Sequence, residues 1–367
     1  MAERVLTQIS VIGLGLMGGS LSLALVRDGF KVAGWDADFT TVTEAYRNGI
    51  INRLPENFQS AVAGSEIIFV ATPVAAISGV IRSCLPYVAP GTVFTDLGSI
   101  KKLVEEEVFS FLPDDYYFVP GHPMTGSEQH GIAAVDPFLF ENAAYIVIDH
   151  PRTPAEITTA VAGVVKTVGA HIIRLTAAEH DRIVGTVSHL PHIVAAVLAG
   201  TAGLAEETHP GTLSLAAGGF RDTTRVATGS PELWEGIIRG NRRPIIEALQ
   251  AFQGQLEAFY RILAADDREG LIRFLERARE VRLQIPAKNK GFLSLLYEMV
   301  VTIEDRPGTI EEVLRHLSQA EINIKDIEIL RIREGDAGTL RLAFENDAAV
   351  ENAVRLLREH GFKVWRR

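Results

Sequence analysis

The chain has 367 residues, more than one hydrophobic core usually holds, so two or three domains are expected. Lys and Arg total 36 against 46 for Asp and Glu, and the net charge of -10 repels polyanions, which argues against nucleic acid as a partner. The single cysteine, Cys84, excludes an internal disulfide and lacks the neighbours of a zinc site, so it reads as a core thiol in a reducing compartment.

Met1 to Ser10 show neither a signal-peptide nor a transit-peptide pattern, and no apolar run reaches membrane-spanning length; a cytoplasmic location is therefore expected. From Gln8 to about Leu175, short β-branched runs alternate with amphipathic stretches, which predicts an α/β, Rossmann-type doubly wound parallel sheet in residues 1–175. Strands are expected at Ile9–Gly13, Lys31–Trp35, Ile67–Ala71, Val93–Asp96, Tyr117–Pro120 and Ala144–Asp149, all too continuously apolar for a sheet with one wet face.

The segment Gly13-Leu14-Gly15-Leu16-Met17-Gly18 closes the first strand and opens a helix, the context that a dinucleotide-binding loop requires. Gly13 permits the tight turn, Gly15 admits the pyrophosphate to the backbone, and Gly18 lets helix and strand approach. Asp36 ends the second strand, where a carboxylate accepts hydrogen bonds from the ribose hydroxyls and repels a 2′-phosphate, so NAD is the expected cofactor. Arg47 could fold over the ribose, which keeps NADP open as an alternative. Thr72 and Pro73 end the third strand at the same carboxyl edge and should border the cofactor, although Pro73 is equally suited to starting a helix.

Two further strand ends carry polar groups toward that edge: Asp96-Leu97-Gly98-Ser99-Ile100-Lys101, and Gly121-His122-Pro123-Met124-Thr125-Gly126-Ser127-Glu128. Ser99 and His122 are thereby candidates to face the nicotinamide, where a neutral imidazole can take a hydroxyl proton as hydride leaves the same carbon. A turn histidine satisfied by backbone is the plainer reading of His122.

Strand signals vanish between Thr176 and about Leu283, and helical periodicity through His180–Leu198, Pro244–Leu263 and Asp267–Arg282 predicts an all-helical domain over 176–283. His180, His189 and His192 could ligate a metal, but no recognised ligand spacing is present and NAD chemistry needs none, so no metal is expected. The remaining readings are packed or capping histidines and substrate contact. Gly218-Gly219-Phe220-Arg221-Asp222-Thr223-Thr224-Arg225 places two guanidiniums suited to bidentate carboxylate binding, against the alternative of solvated surface arginines. Residues 284–295 read as a linker, and 296–367 as βαββαβ, with the turn Asp305-Arg306-Pro307-Gly308 leading into a helix at Thr309.

Taken together, the Asp-Leu-Gly-Ser-Ile-Lys, Gly-His-Pro-Met-Thr-Gly-Ser-Glu, Ser-His-Leu-Pro-His and Gly-Gly-Phe-Arg-Asp-Thr-Thr-Arg segments resemble the prephenate dehydrogenase family of tyrosine biosynthesis, followed by an ACT (ferredoxin-like) domain. The resemblance implies His122 as catalytic histidine, Ser99 as hydroxyl-binding serine and Arg225 as the arginine for a substrate carboxylate. It further implies that Ser127, Glu128, His180, His189, His192, Gly218 and Arg221 line the pocket, and that Trp234 reaches toward the neighbouring subunit's site. Prephenate as substrate, a homodimer joined by the helical domain, and tyrosine inhibition through Asp305, Pro307, Gly308 and Thr309 are its other implications. Arogenate stays open as the substrate.

Two competitors are weaker. A β-hydroxyacid or 6-phosphogluconate-type dehydrogenase would use a helical-domain lysine, and no lysine occurs between Arg174 and Lys288. A non-catalytic nucleotide sensor gives no reason for Ser99, His122 and Arg225 to occur together.

Overall fold

The computed structural model describes residues 8–126, 129–285, 297–304, 306–331 and 338–366. Ser127, Glu128, Asp305 and most of the expected linker lie outside the described residues. The chain divides into two compact units, the first ending at Ile285 and the second holding residues 297 onward.

In the first unit, β1 (Gln8–Ile12), β2 (Lys31–Trp35), β3 (Ile67–Val70), β4 (Val93–Asp96) and β5 (Tyr117–Val119) form a five-stranded parallel sheet in the order β2-β1-β3-β4-β5. Successive residues enter different cores: Ile67 and Phe69 pack on one face, Ile68 and Val70 on the other. That double burial explains the unbroken apolar runs in the sequence. Strand order reverses between β1 and β3, and the crevice at their carboxyl ends is where open sheets of this kind take ligands. Cys84 is buried in the second of these cores, and desolvation pushes its thiol up to about 12.

The expectation for Ala144–Asp149 needs correction. β6 (Gly121–Pro123), β7 (Ala144–Ile148) and β8 (His171–Leu175) form a separate three-stranded sheet, with β6 antiparallel to β7 and β7 parallel to β8. Pro120 has no N–H to continue a ladder, so the chain leaves the first sheet there and re-pairs one residue later.

Helices Ala177–Val184 and Leu190–Thr208 are joined end to end by a π-helical turn, Gly185–His189. The N-terminus is fixed by a reciprocal cap in which Thr176 and Glu179 satisfy each other's backbone donors. Pro191 removes a backbone donor, and the wider turn immediately before it absorbs that loss. By length and composition the whole run, 177–208, would suffice to cross a membrane, with a mean hydropathy of 1.6 in its most apolar window, so the expectation that no run reaches that length is corrected.

Helices Pro231–Gly240, Arg242–Ala264 and Arg268–Leu283 follow, and Gly218–Thr224 is a short one that periodicity did not reveal. Ile237 is buried in the same core as Ile77, Ile81 and Ile100, so the helical residues and the parallel sheet share packing.

The second unit is an antiparallel four-stranded sheet, β9 (Tyr297–Ile303), β10 (Asp326–Arg331), β11 (Gly338–Phe344) and β12 (Lys363–Arg366), in the order β10-β11-β9-β12. With helices Thr309–Gln319 and Asp347–Glu359 it makes the ferredoxin-like βαββαβ arrangement. Met299, Val301, Leu340, Leu342 and Phe344 form its core with Val313, Leu317, Ala353 and Leu357. Gly308 takes φ +92°, a conformation disfavoured by any Cβ, and sets the start of the first helix. The Thr309 hydroxyl is occupied by the Arg306 carbonyl at 3.1 Å, while Pro307 and Gly308 are exposed. Arg341, which sequence patterning did not single out, is buried at the sheet centre by ion pairs to Glu298, Asp326 and Glu328.

Candidate active site

A cleft of about 850 Å³ opens at the carboxyl edge of the sheet, bordered by Gly13, Gly15, Trp35, Asp36, Thr72 and Pro73. Gly13 has φ +95°, and a Cβ there would lie 2.6 Å from the Ala71 carbonyl oxygen; at Gly18 it would lie 1.9 Å from that of Gly13. A Cβ at Gly15 would meet no atom within 4 Å, so its backbone faces open space. The Asp36 carboxylate accepts from Leu14 N–H at 2.8 Å and Asp38 N–H at 3.1 Å, which ties the end of β2 to the glycine loop.

A second cavity of about 390 Å³ shares Gly15, Ala71, Thr72 and Pro73 with the first, and its walls include Leu16, Met17, Ser99, His122 and Leu233. At their junction the Thr72 hydroxyl is buried with no protein partner. A backbone turn open to the cleft, an orphaned hydroxyl and a carboxylate at the far rim are the groups a dinucleotide's pyrophosphate and ribose require.

Ser99 and His122 meet because one buried acid organises both turns. Asp96 accepts from Gly98 N–H at 2.8 Å and Gly121 N–H at 3.3 Å, and it pairs with the ammonium of Lys101. The Lys101 ammonium also donates to the Gly121 carbonyl at 2.6 Å, one residue before His122. Lys101 and Asp96 are both wholly buried, and neither partner could be removed without leaving an uncompensated charge.

Behind His122 the polar chain continues inward. His122 Nδ1 lies 2.7 Å from His180 Nε2, and His180 Nδ1 lies 2.7 Å from Asp181 Oδ1. Asp181 in turn accepts from the backbone N–H groups of Lys101 at 2.8 Å and Lys102 at 2.9 Å. Burial, then the neighbouring His180 and the Lys101 ammonium, hold His122 well below the usual imidazole range. Burial likewise lowers His180, against the opposing pull of Asp181. His180 is wholly buried and borders neither cavity.

His189 and His192 form a second group with Trp234. Asn241 Nδ2 donates to the Asp181 carbonyl at 2.8 Å and to His189 Nδ1 at 3.0 Å, and burial lowers His189 to about 4. His192 stacks on Trp234 with ring centroids 3.5 Å apart, and its Nδ1 is buried without a protein partner. Within one chain, then, Trp234 is engaged by its own His192. Gly218, Arg221 and Arg225 are exposed and do not border either cavity, in contrast to their expected place at the substrate. Among the described residues no group of three or more His, Cys, Asp or Glu side chains is placed to hold a metal ion.

A nucleotide-type cleft continuous with a cavity that carries a neutral imidazole and a hydroxyl defines a class: oxidoreductases that remove hydride and proton from a carbinol. Residues 21–174 match the model for the prephenate dehydrogenase nucleotide-binding domain, and residues 176–277 that for the prephenate dehydrogenase dimerization domain. A curated prephenate dehydrogenase of Bacillus subtilis is 33% identical over 350 residues, covering 92% of this chain and 92% of its own. The chain belongs to the prephenate dehydrogenase family and is an oxidoreductase. Among solved structures, the prephenate dehydrogenase of A. aeolicus, in complex with hydroxyphenyl propionate and NAD+, has a TM-score of 0.71 at 25% identity, over 77% of this chain and 99% of its own. The arogenate dehydrogenase of Synechocystis has a TM-score of 0.67 at 28% identity, over 75% and 99%.

Proposed function

We propose that the chain is an NAD-dependent enzyme that converts prephenate to 4-hydroxyphenylpyruvate and carbon dioxide. The observation that carries this reading is the cavity where Ser99 and His122 stand beside the glycine loop. NAD, when bound, supplies the hydride acceptor, with Gly13 to Gly18 and Thr72 at its phosphates and Asp36 at its ribose. The Ser99 hydroxyl holds the ring hydroxyl of the substrate. His122 takes the hydroxyl proton as the carbon beneath it gives up hydride, and loss of the ring carboxylate restores aromaticity. Arg225, with Arg221 four residues before it, is the group assigned to a substrate carboxylate although both stand outside the two cavities of the single chain, and His189, His192, Gly218, Ser127 and Glu128 are the further pocket residues of this reading.

The purified chain should reduce NAD with prephenate and do so poorly with NADP. Faster turnover of arogenate, which carries an amino group in place of the side-chain ketone, would move the substrate to that neighbour compound.

The helical residues pair two copies. Only 28% of the most apolar window of the 177–208 helix is buried, and Val197 and Leu204 are 64% and 66% exposed, an apolar face that water does not favour. A second copy of this face is the cover that a dimerization domain would provide. Light scattering at micromolar concentration should give twice the 40.0 kDa chain mass, and a monomer would refute the pairing. A cytoplasmic location goes with this reading.

The second unit serves as an ACT domain that binds tyrosine and inhibits the enzyme. Its βαββαβ order and the left-handed Gly308 at the start of a helix, where free N–H groups can meet a carboxylate, support it. Pro307 and Thr309 flank Gly308, and Asp305 precedes them in the sequence. Truncation after Leu283 should leave an active enzyme that tyrosine no longer inhibits; retained inhibition would place the effector site elsewhere.

A further inference from the structure

We propose that His180 and Asp181 are positioning residues that fix which nitrogen of His122 carries its proton. The inference rests on His122 being the proton acceptor and deepens that reading.

The assignment follows from counting donors. Asp181 Oδ1 accepts from Lys101 N–H and Oδ2 from Lys102 N–H, so this side chain is used as an acceptor on both oxygens. His180 Nδ1, 2.7 Å from Oδ1, must therefore donate. A neutral imidazole has one N–H, so His180 Nε2 is left with its lone pair. His122 Nδ1, 2.7 Å from that lone pair, must then donate to it. The proton of a neutral His122 is thus on Nδ1, and Nε2 becomes the basic nitrogen. Since His122 borders the cavity with Ser99, Nε2 is the atom left to serve a substrate hydroxyl there.

The other ring tautomer would set two lone pairs or two protons against each other in a site that water does not reach, at the cost of an unmade buried hydrogen bond. Both histidines are driven toward neutrality by their burial, so the count holds through the physiological range. Asp181 is anchored by the backbone of the very segment that carries Lys101, whose ammonium holds the Gly121 carbonyl. The two turns that present Ser99 and His122 are therefore registered to each other from behind as well as through Asp96.

The test has two parts. Long-range ¹H–¹⁵N correlation spectra of histidine-labelled, full-length protein without substrate should show His122 protonated at Nδ1 and bare at Nε2. The opposite tautomer overturns the proposal, and this readout needs neither a variant nor the right substrate. His180→Leu removes the accepting lone pair and should lower kcat by roughly a hundredfold or more, with NAD affinity within about threefold of wild type. His180→Gln can place its carbonyl oxygen where Nε2 was, and should recover most of that loss. Equal kcat for the two variants would assign His180 to packing alone. A chain with the expected tautomer but no turnover of prephenate or arogenate would count against the proposed substrate and leave the relay standing.

Discussion

Replacement of His122 by Asn should lower kcat by about 10² or more while NAD still binds with unchanged affinity, the scale expected for loss of a general base. Asn keeps a polar group in the cavity wall but has no basic nitrogen. Steady-state kinetics with prephenate, alongside a fluorescence titration with NAD, separates the two quantities; an undiminished kcat would mean that another group takes the proton. The wild-type pH profile follows from the same site. The base form of His122 is the one above its lowered pKa, so kcat should stay level from alkaline pH down through 6.5 and fall only at more acid values. Stability should respond in the same direction. His122, His180, His189 and His192 all have folded-state values below the unfolded one, so the native chain binds fewer protons than the unfolded chain, and stability present above about 6.5 is lost as pH falls. For His189 that loss extends to about 4.

The second large effect is expected at Gly18. An alanine methyl would sit 1.9 Å from the Gly13 carbonyl oxygen and 2.8 Å from the Ala71 side chain, and the first of these obstacles is backbone that cannot swing aside. Forcing the helix from the strand should cost about 3 kcal/mol, at the upper end of overpacking penalties, and should open the loop that binds the phosphates. Gly18→Ala is expected to melt earlier and to bind NAD weakly. Gly15→Ala is the informative contrast. Its methyl meets nothing in the protein, so the melting temperature should hold while NAD affinity falls, because the methyl projects from the segment that the pyrophosphate must approach. Equal melting losses for the two variants would contradict this division of roles.

Most strands of both units were legible because each presents a run whose burial shows in residue type; β8, half-exposed along its length, was not among the expected strands. β1 to β5 read as continuous apolar stretches, and β9 to β12 with their helices follow the expected βαββαβ order. β6 was not legible: Gly121, His122 and Pro123 make no apolar run, and only pairing with β7 makes them a strand. At the site, Gly13 to Gly18, Asp36, Thr72, Pro73, Ser99 and His122 could be placed from local signals, since loop, strand end and helix start lie close in sequence. Lys101, Asp181 and Asn241 could not, because each also holds a partner 20 to 80 residues away in the chain, and only the fold brings these together. The dipeptide His180-Asp181 was visible as polar residues near a helix start, but nothing local says that they face inward toward His122 and not the substrate.

The π-helical turn Gly185–His189 carries one residue more than an ordinary coil of the helix would need. Loss of a single residue there would leave a smooth α-helix with its far half in nearly the same phase, whereas loss of a residue from the regular helix on either side would rotate everything beyond it by about 100° relative to His180 and Asp181. His192 would leave the ring of Trp234, and the outward apolar stripe would point along a different bearing. The irregular turn therefore takes up one extra residue while the two ends of one rod keep their phase: its upstream half is locked to His122, its downstream half to the ring of Trp234 and to the face that we assign to a second copy. A mutational history of this helix should tolerate side-chain exchange far more readily than a change in the count of residues on either side of that turn.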